Sequence, residues 1–186
     1  MSENRGKSFE GTVKECLAKV EGVSVDRLHD QTTGYAGSKN ICDFIAYKKP
    51  FQYYIECKSV HGNTLSIHSI DHKHNKEIYG NITYKQWTGL LEKSKTDGVL
   101  AGILCWWVDR DVTRFIPIQC LVEYRACGSK SVRYDADLPT IKDSEFGSLY
   151  EPFIVDGRKK RVFFDYDMRS FFTMGEHILR GDKYDL

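Results

Sequence analysis

The sequence predicts a mixed α/β (α+β) fold, with a central mixed β-sheet flanked by helices. Three observations predict it. Two apolar, aromatic-rich runs at 43–47 and 51–58 flank the basic turn Lys48-Lys49-Pro50 and read as a β-hairpin. The run at 99–108 (VLAGILCWWV) is apolar at every position, the pattern of a central strand covered on both faces. Segments at 8–21 and 83–94 carry apolar residues at helical spacing. The resulting order, α-β-β-β-α-β with trailing β and α elements, suits one sheet with helices packed on it.

Each element has a local reason. In the first helix Ser8 is the expected N-cap, and Phe9, Val13, Cys16, Leu17 and Val20 form its apolar stripe. Glu10 would then lie in the first turn, where the helix dipole favours an anion, and Gly22 would close the helix. Residues 23–29 read as a short strand and 31–40 as a polar loop. Residues 64–70 alternate and read as a third strand, and 72–81 as a polar loop. Thr83 is the expected cap of the second helix, with Trp87, Leu90 and Leu91 facing inward. Thr96-Asp97-Gly98 is a turn into the central strand. Residues 115–124 continue the sheet or lead into a helix, and 128–150 show no period. Residues 153–166 read as a second hairpin turning at Asp156-Gly157, followed by a short helix at 170–179.

The totals bound the function. At 186 residues the chain is expected to form a single domain, with a core at about 4–125 and a C-terminal hairpin and helix at about 150–180. A net charge of +1 predicts no whole-molecule attraction to nucleic acid, so any such binding must rest on local basic patches. The six cysteines form no C-x-x-C pair and several sit in apolar runs, which indicates reduced thiols in a cytoplasmic protein. The first residues lack the apolar core of a secretory signal. The apolar run at 99–108 is about half a membrane span, so no membrane partner is expected. His61, His68, His72 and His74 match no usual tetrahedral zinc spacing.

The chemistry concentrates in the first hairpin. Alternate strand residues share a face, so Glu56 and Lys58 stand side by side, and the hairpin returns Asp43 toward them. Two carboxylates and an ammonium on a strand edge make a poor core. They make a good seat for Mg²⁺ and a scissile phosphate. Phosphodiester hydrolysis needs an activated water, neutralised phosphoryl oxygens and a stabilised leaving group, and carboxylates, a hard divalent cation and a lysine meet those needs. Taken alone, Glu56 and Lys58 read equally well as an exposed pair on an edge strand. In the same way Glu10 reads as an ordinary helix acid, and Gln86 as a surface helix residue.

The segment Asn4-Arg5-Gly6-Lys7-Ser8-Phe9-Glu10 resembles the N-terminal signature of RecU-type Holliday junction resolvases, a group within the PD-(D/E)xK nuclease superfamily. Further matches follow in the family's order: Asp43 in a hydrophobic strand, Glu56-x-Lys58, Gln86 early in the next helix, Asp97-Gly98 before an apolar strand, and Phe164-Asp165-Tyr166 near the end. The resemblance spans roughly 4–125, with a weaker echo at 160–172. Cys42 stands where the superfamily's name-giving Pro would be, Lys85 precedes Gln86 in place of His, and 68–81 is extra length.

The resemblance implies a restriction-endonuclease-like core and a structure-specific DNA endonuclease that resolves four-way junctions. It implies Mg²⁺, with Mn²⁺ as a substitute, held by Asp43 and Glu56 with Glu10 completing the shell. Lys58 would orient or activate the attacking water, and Gln86 would position water or phosphate. Branched DNA and a second copy of the chain are the implied partners, with no nucleotide cofactor. Symmetric cutting of a junction needs two sites related by a two-fold axis. Arg5 and Lys7 are candidate phosphate contacts. Thr32, Thr33, Tyr35 and Lys39 lie in the loop before the active strand, and Arg158, Lys159 and Lys160 at a basic hairpin tip. Another nuclease of the superfamily, of restriction or repair type, shares the site but not the substrate. A DNA-binding module without chemistry is the reading from a different class, and the full set Glu10, Asp43, Glu56 and Lys58 argues against it.

Overall fold

In the computed structural model, which describes residues 3–28, 40–67, 80–143, 145–160 and 164–182, the nine residues Val99–Trp107 (β5) form a strand buried at every position. It lies between β3 (Phe51–Val60), which runs parallel to it, and β6 (Val112–Pro117), which runs antiparallel. Adding β1 (Val23–Arg27), β2 (Phe44–Lys48) and β10 (Phe153–Ile154) gives one mixed sheet, ordered β1-β2-β3-β5-β6-β10. Among the described residues three two-stranded pairs stand outside it. These are β4 (Thr64–Ser66) with β7 (Ser131–Arg133), β8 (Ile141–Lys142) with β9 (Leu149–Tyr150), and β11 (Gly157–Lys159) with β12 (Phe164–Tyr166).

Among the described residues four α-helices complete the architecture: α1 (Glu3–Ala18), α2 (Tyr84–Lys93), α3 (Ile118–Ala126) and α4 (Met168–Arg180). One sheet face is covered by α1 and α4. There Phe9 packs on Trp106, and Phe171 and Phe172 pack on Tyr53. The pairing register puts Tyr53 and Trp106 on that face and Glu56 and Lys58 on the other, under α2. The mixed α/β class and the helix-flanked mixed sheet are as the sequence predicts. Cys16, Cys42, Cys57, Cys105 and Cys120 are buried free thiols, and Cys127 is an exposed one.

Five expectations need correction. First, α1 begins at Glu3 rather than at Ser8, so Glu10 sits mid-helix and gains nothing from the first-turn dipole. The polar Asn-Arg-Gly-Lys stretch simply continues the helix, its first residues having no apolar stripe to announce them. Second, the strand expected at 64–70 is three residues long and pairs with β7 instead of joining the main sheet; 68–79 lie outside the described residues. Third, α1 ends at Ala18 rather than running to 21, so Gly22, with a φ of 74°, lies in the turn before β1 instead of closing the helix. Fourth, the last helix starts at Met168, where Asp167 caps it by accepting from the backbone of Arg169 and Ser170.

The fifth correction concerns 153–166. Asp156-Gly157 is not a hairpin turn. β10 pairs with β6 at the sheet edge, and Gly157 opens β11 opposite Tyr166. A Cβ there would lie 3.1 Å from the Asp165 carbonyl and from Tyr166, so the glycine serves close backbone approach rather than a turn.

Candidate active site

Asp43 stands one residue before β2 and holds the open end of the hairpin. Its N–H donates to the Ile55 carbonyl at 3.1 Å, its carbonyl accepts from Leu28 N at 2.8 Å, and its carboxylate Oδ2 accepts from Cys57 N at 2.7 Å. The side chain thus takes the place of the strand carbonyl that β2 no longer offers to β3. This contact fixes a carboxylate beside the residue between Glu56 and Lys58.

Glu56 is buried, with only 3% of its surface exposed. Lys58 Nζ lies 2.7 Å from its Oε1, two residues along the same face. The Gln86 amide reaches down from α2 and donates through Nε2 to the same Oε1. Gln86 is held in turn by Thr83 in a capping box: its Oε1 accepts from Thr83 N at 3.0 Å, and its own N donates to Thr83 Oγ1 at 3.2 Å. The helix start and the buried acid share one side chain.

Glu10 comes in from α1. Its Oε2 accepts from Arg27 Nη2 at 2.5 Å, both side chains about a quarter exposed. The sequence reading missed Arg27. No motif marks it, and only its place at the end of the first strand, level with Phe44, brings it here.

The electrostatics tie these groups together. Burial pushes the Asp43 carboxyl up to about 6, and the charge of Glu10 adds to the rise; the Cys57 N–H, Lys58 and Arg27 oppose it. Burial pushes Glu56 up to about 8, with the charges of Asp43 and Glu10 adding and Lys58 opposing. The charge of Glu10 thus acts on both Asp43 and Glu56, and that of Asp43 on Glu56. Among the described residues, however, no three carboxylate, imidazole or thiol side chains stand together closely enough to share a metal ion as they lie. Glu10 is instead engaged by Arg27, and Glu56 by Lys58 and Gln86.

The donor set still fits a divalent cation. It consists of hard carboxylate oxygens, as Mg²⁺ and Mn²⁺ require. The buried Glu56 and the partly buried Asp43, both with raised pKa values, lose repulsion and desolvation cost when a doubly charged cation joins them.

The residues predicted to touch DNA are dispersed. Lys7 is exposed on α1, next to Gly6, where a Cβ would lie 3.8 Å from Ser59 Oγ. Arg5 lies in α1, and Thr32, Thr33, Tyr35 and Lys39 lie outside the described residues. Arg158, Lys159 and Lys160 are exposed, two of them already paired: Lys159 with Asp111, and Lys160 with Asp165 at 3.6 Å. Of the three, Arg158 lines a cleft of about 610 Å³, together with Cys16, Lys19, Asp165 and Arg169 among others. Because α1 supplies part of that lining, the cleft belongs to the face opposite Glu56 and Lys58. Among the described residues, no helix is long and apolar enough to cross a membrane.

No family model and no curated protein matches this chain. Among solved structures it is similar to Hjc, a Holliday junction resolvase from the archaeal hyperthermophile Archaeoglobus fulgidus. The two are 21% identical, over 62% of this chain and 78% of that one, with a TM-score of 0.42.

Proposed function

We propose that this chain is a Mg²⁺-dependent, structure-specific DNA endonuclease of the PD-(D/E)xK type that resolves four-way junctions as a homodimer. The observation that carries the reading is the buried Glu56, held between the Lys58 ammonium and the Gln86 amide with Asp43 alongside. A buried acid with a partly buried one and an ammonium beside it is costly unless a substrate or cation offsets it, which marks such clusters as functional candidates.

Asp43 and Glu56 would hold the cation, with Glu10 beside them. When bound, Mg²⁺, or Mn²⁺ in its place, would neutralise charge at the scissile phosphate. The chain's own groups do the rest. Lys58, only a fifth exposed, presents its ammonium where the phosphoryl oxygens gain charge and where an attacking water needs orientation. Gln86 keeps Glu56 in place. Cutting two strands symmetrically across a junction requires a second copy of the site, and a two-fold dimer is the simplest way to supply it.

The test is cleavage of synthetic four-way junctions, flaps, duplex and single-stranded DNA, with and without Mg²⁺. The proposal expects metal-dependent nicking of the junction in preference to the others. Asp43→Asn and Lys58→Ala should abolish it and leave junction binding intact, because phosphate contacts elsewhere carry the affinity. Equal cleavage of every substrate would point to a restriction- or repair-type nuclease. No cleavage by the pure protein would leave a DNA-binding module.

A further inference from the structure

We propose that Thr83 is a positioning residue for the site, acting through Gln86 to set which oxygen of Glu56 faces the cation. The metal half of this inference rests on the function proposed above; the geometric half does not.

The hydrogen bonds define one direction for the Gln86 amide. Its Oε1 accepts from Thr83 N at 3.0 Å and from Thr83 Oγ1 at 3.1 Å. Its Nε2 therefore points the other way, onto Glu56 Oε1. A flipped amide would set its NH₂ against the Thr83 N–H and leave both Thr83 donors without their acceptor. The threonine hydroxyl also accepts from Gln86 N at 3.2 Å, so it holds the residue by its backbone and its side chain at once.

The consequence falls on Glu56. The donors found for it among the described residues, Lys58 Nζ and Gln86 Nε2, both end on Oε1. Loading one oxygen with two donors turns the carboxylate about its axis and leaves Oε2 as the oxygen offered to an ion. The capping box at the start of α2 thereby does two things. It satisfies the helix terminus, as capping boxes do, and it aims a carboxylate on the strand below.

The test compares Thr83→Val, Thr83→Ser and Asp167→Ala. Valine keeps the branched shape and loses the hydroxyl, serine keeps the hydroxyl, and Asp167→Ala removes a cap of similar strength from α4, away from the site. Binding of Mn²⁺ and Mg²⁺ is measured by calorimetry. The Gln86 side-chain amide is followed by NMR, its signals assigned by their loss in Gln86→Ala.

Thr83→Val should weaken metal binding about fivefold, the worth of one net hydrogen bond. It should also collapse the distinct, slowly exchanging Gln86 amide signals toward those of free glutamine. Thr83→Ser should restore both, and Asp167→Ala should lower the melting temperature without moving either. Wild-type metal affinity and an unchanged amide in Thr83→Val would overturn the proposal, as would an equal loss of affinity in Asp167→Ala. If the wild-type protein binds neither metal, the proposed function fails, and the amide signals still decide whether Thr83 sets the direction of Gln86.

Discussion

Arg27 on β1 and Glu10 on α1 form an ion pair of 2.5 Å at the rim of the acidic cluster, each about a quarter exposed. The pair fastens the helix to the edge of the sheet and places a cation whose charge also reaches Asp43. Exposed pairs contribute about 0–1 kcal/mol, and breaking a buried one costs about 3–5 kcal/mol. This half-buried pair should fall between. A double-mutant cycle of Arg27→Gln and Glu10→Gln should give a coupling of about 1–2 kcal/mol, and Arg27→Gln alone should lower the melting temperature by a few degrees. Zero coupling in metal-free buffer would mean the two side chains only happen to be near.

The raised pKa values of Asp43 and Glu56 set a pH dependence for the metal-free protein. In the unfolded chain both carboxyls lose their protons near pH 4; in the folded chain they keep them to about 6 and about 8. Between those limits the native state binds more protons than the unfolded state, so stability falls as pH rises. The acids with lowered values, Glu92, Asp109, Asp135, Asp165 and Asp167, act in the opposite sense and only at more acidic pH. Thermal melts in chelator should therefore show a decline from about pH 5 to about pH 8. Glu56→Gln should flatten its upper half, above about pH 6. A profile that is flat or rising across that range would contradict the burial of these two acids as charged groups.

Much of this was legible in the sequence, and the reasons are physical. The apolar run at 99–108 announced its own central place, and Thr83 announced a helix start. The hairpin signal was strong because its turn is two residues long, with Lys48 opposite Phe51. The same strand alternation put Glu56 and Lys58 on one face. What stayed hidden depended on distant contacts. Arg27 carries no local signal, since only the β1–β2 register brings it near Asp43 and Glu10. The early start of α1 was hidden because its first turns have no apolar stripe to read. The second hairpin was misread because Asp-Gly is a turn signature locally, whereas the partner strands here are set by β6 on one side and Tyr166 on the other.

Two glycines separate these cases experimentally. At Gly102 in β5 a Cβ would lie 2.4 Å from the Ile116 carbonyl oxygen, a backbone atom that cannot rotate away. Gly102→Ala should cost about 3 kcal/mol, the upper range for overpacking, and should lower the melting temperature by roughly 6–12 °C. At Gly11, in the interior of α1, a Cβ meets nothing within 4 Å. Gly11→Ala should stabilise the protein by about 0.5–1 kcal/mol through helix propensity. Similar melting temperatures for the two variants would mean that β5 and β6 do not approach as described.

The basic residues of β11 offer a test of how DNA is gripped. Lys159 and Lys160 pair with Asp111 and Asp165 in the free protein, and all four side chains are well exposed. Exposed pairs of this kind are worth so little that a phosphate can take over either lysine at small cost. Replacing Arg158, Lys159 and Lys160 by alanine should change the melting temperature by less than about 2 °C. If these residues touch the backbone, the same triple variant should weaken junction binding and reduce the slope of log affinity against log salt, by roughly 0.9 for each phosphate that is no longer neutralised. Cleavage at saturating enzyme should persist, because Asp43, Glu56 and Lys58 stand on the opposite face of the sheet from the cleft that Arg158 lines. An unchanged salt slope would remove β11 from the interface and leave the grip to Lys7 and the end of the sheet where Ser59 meets α1.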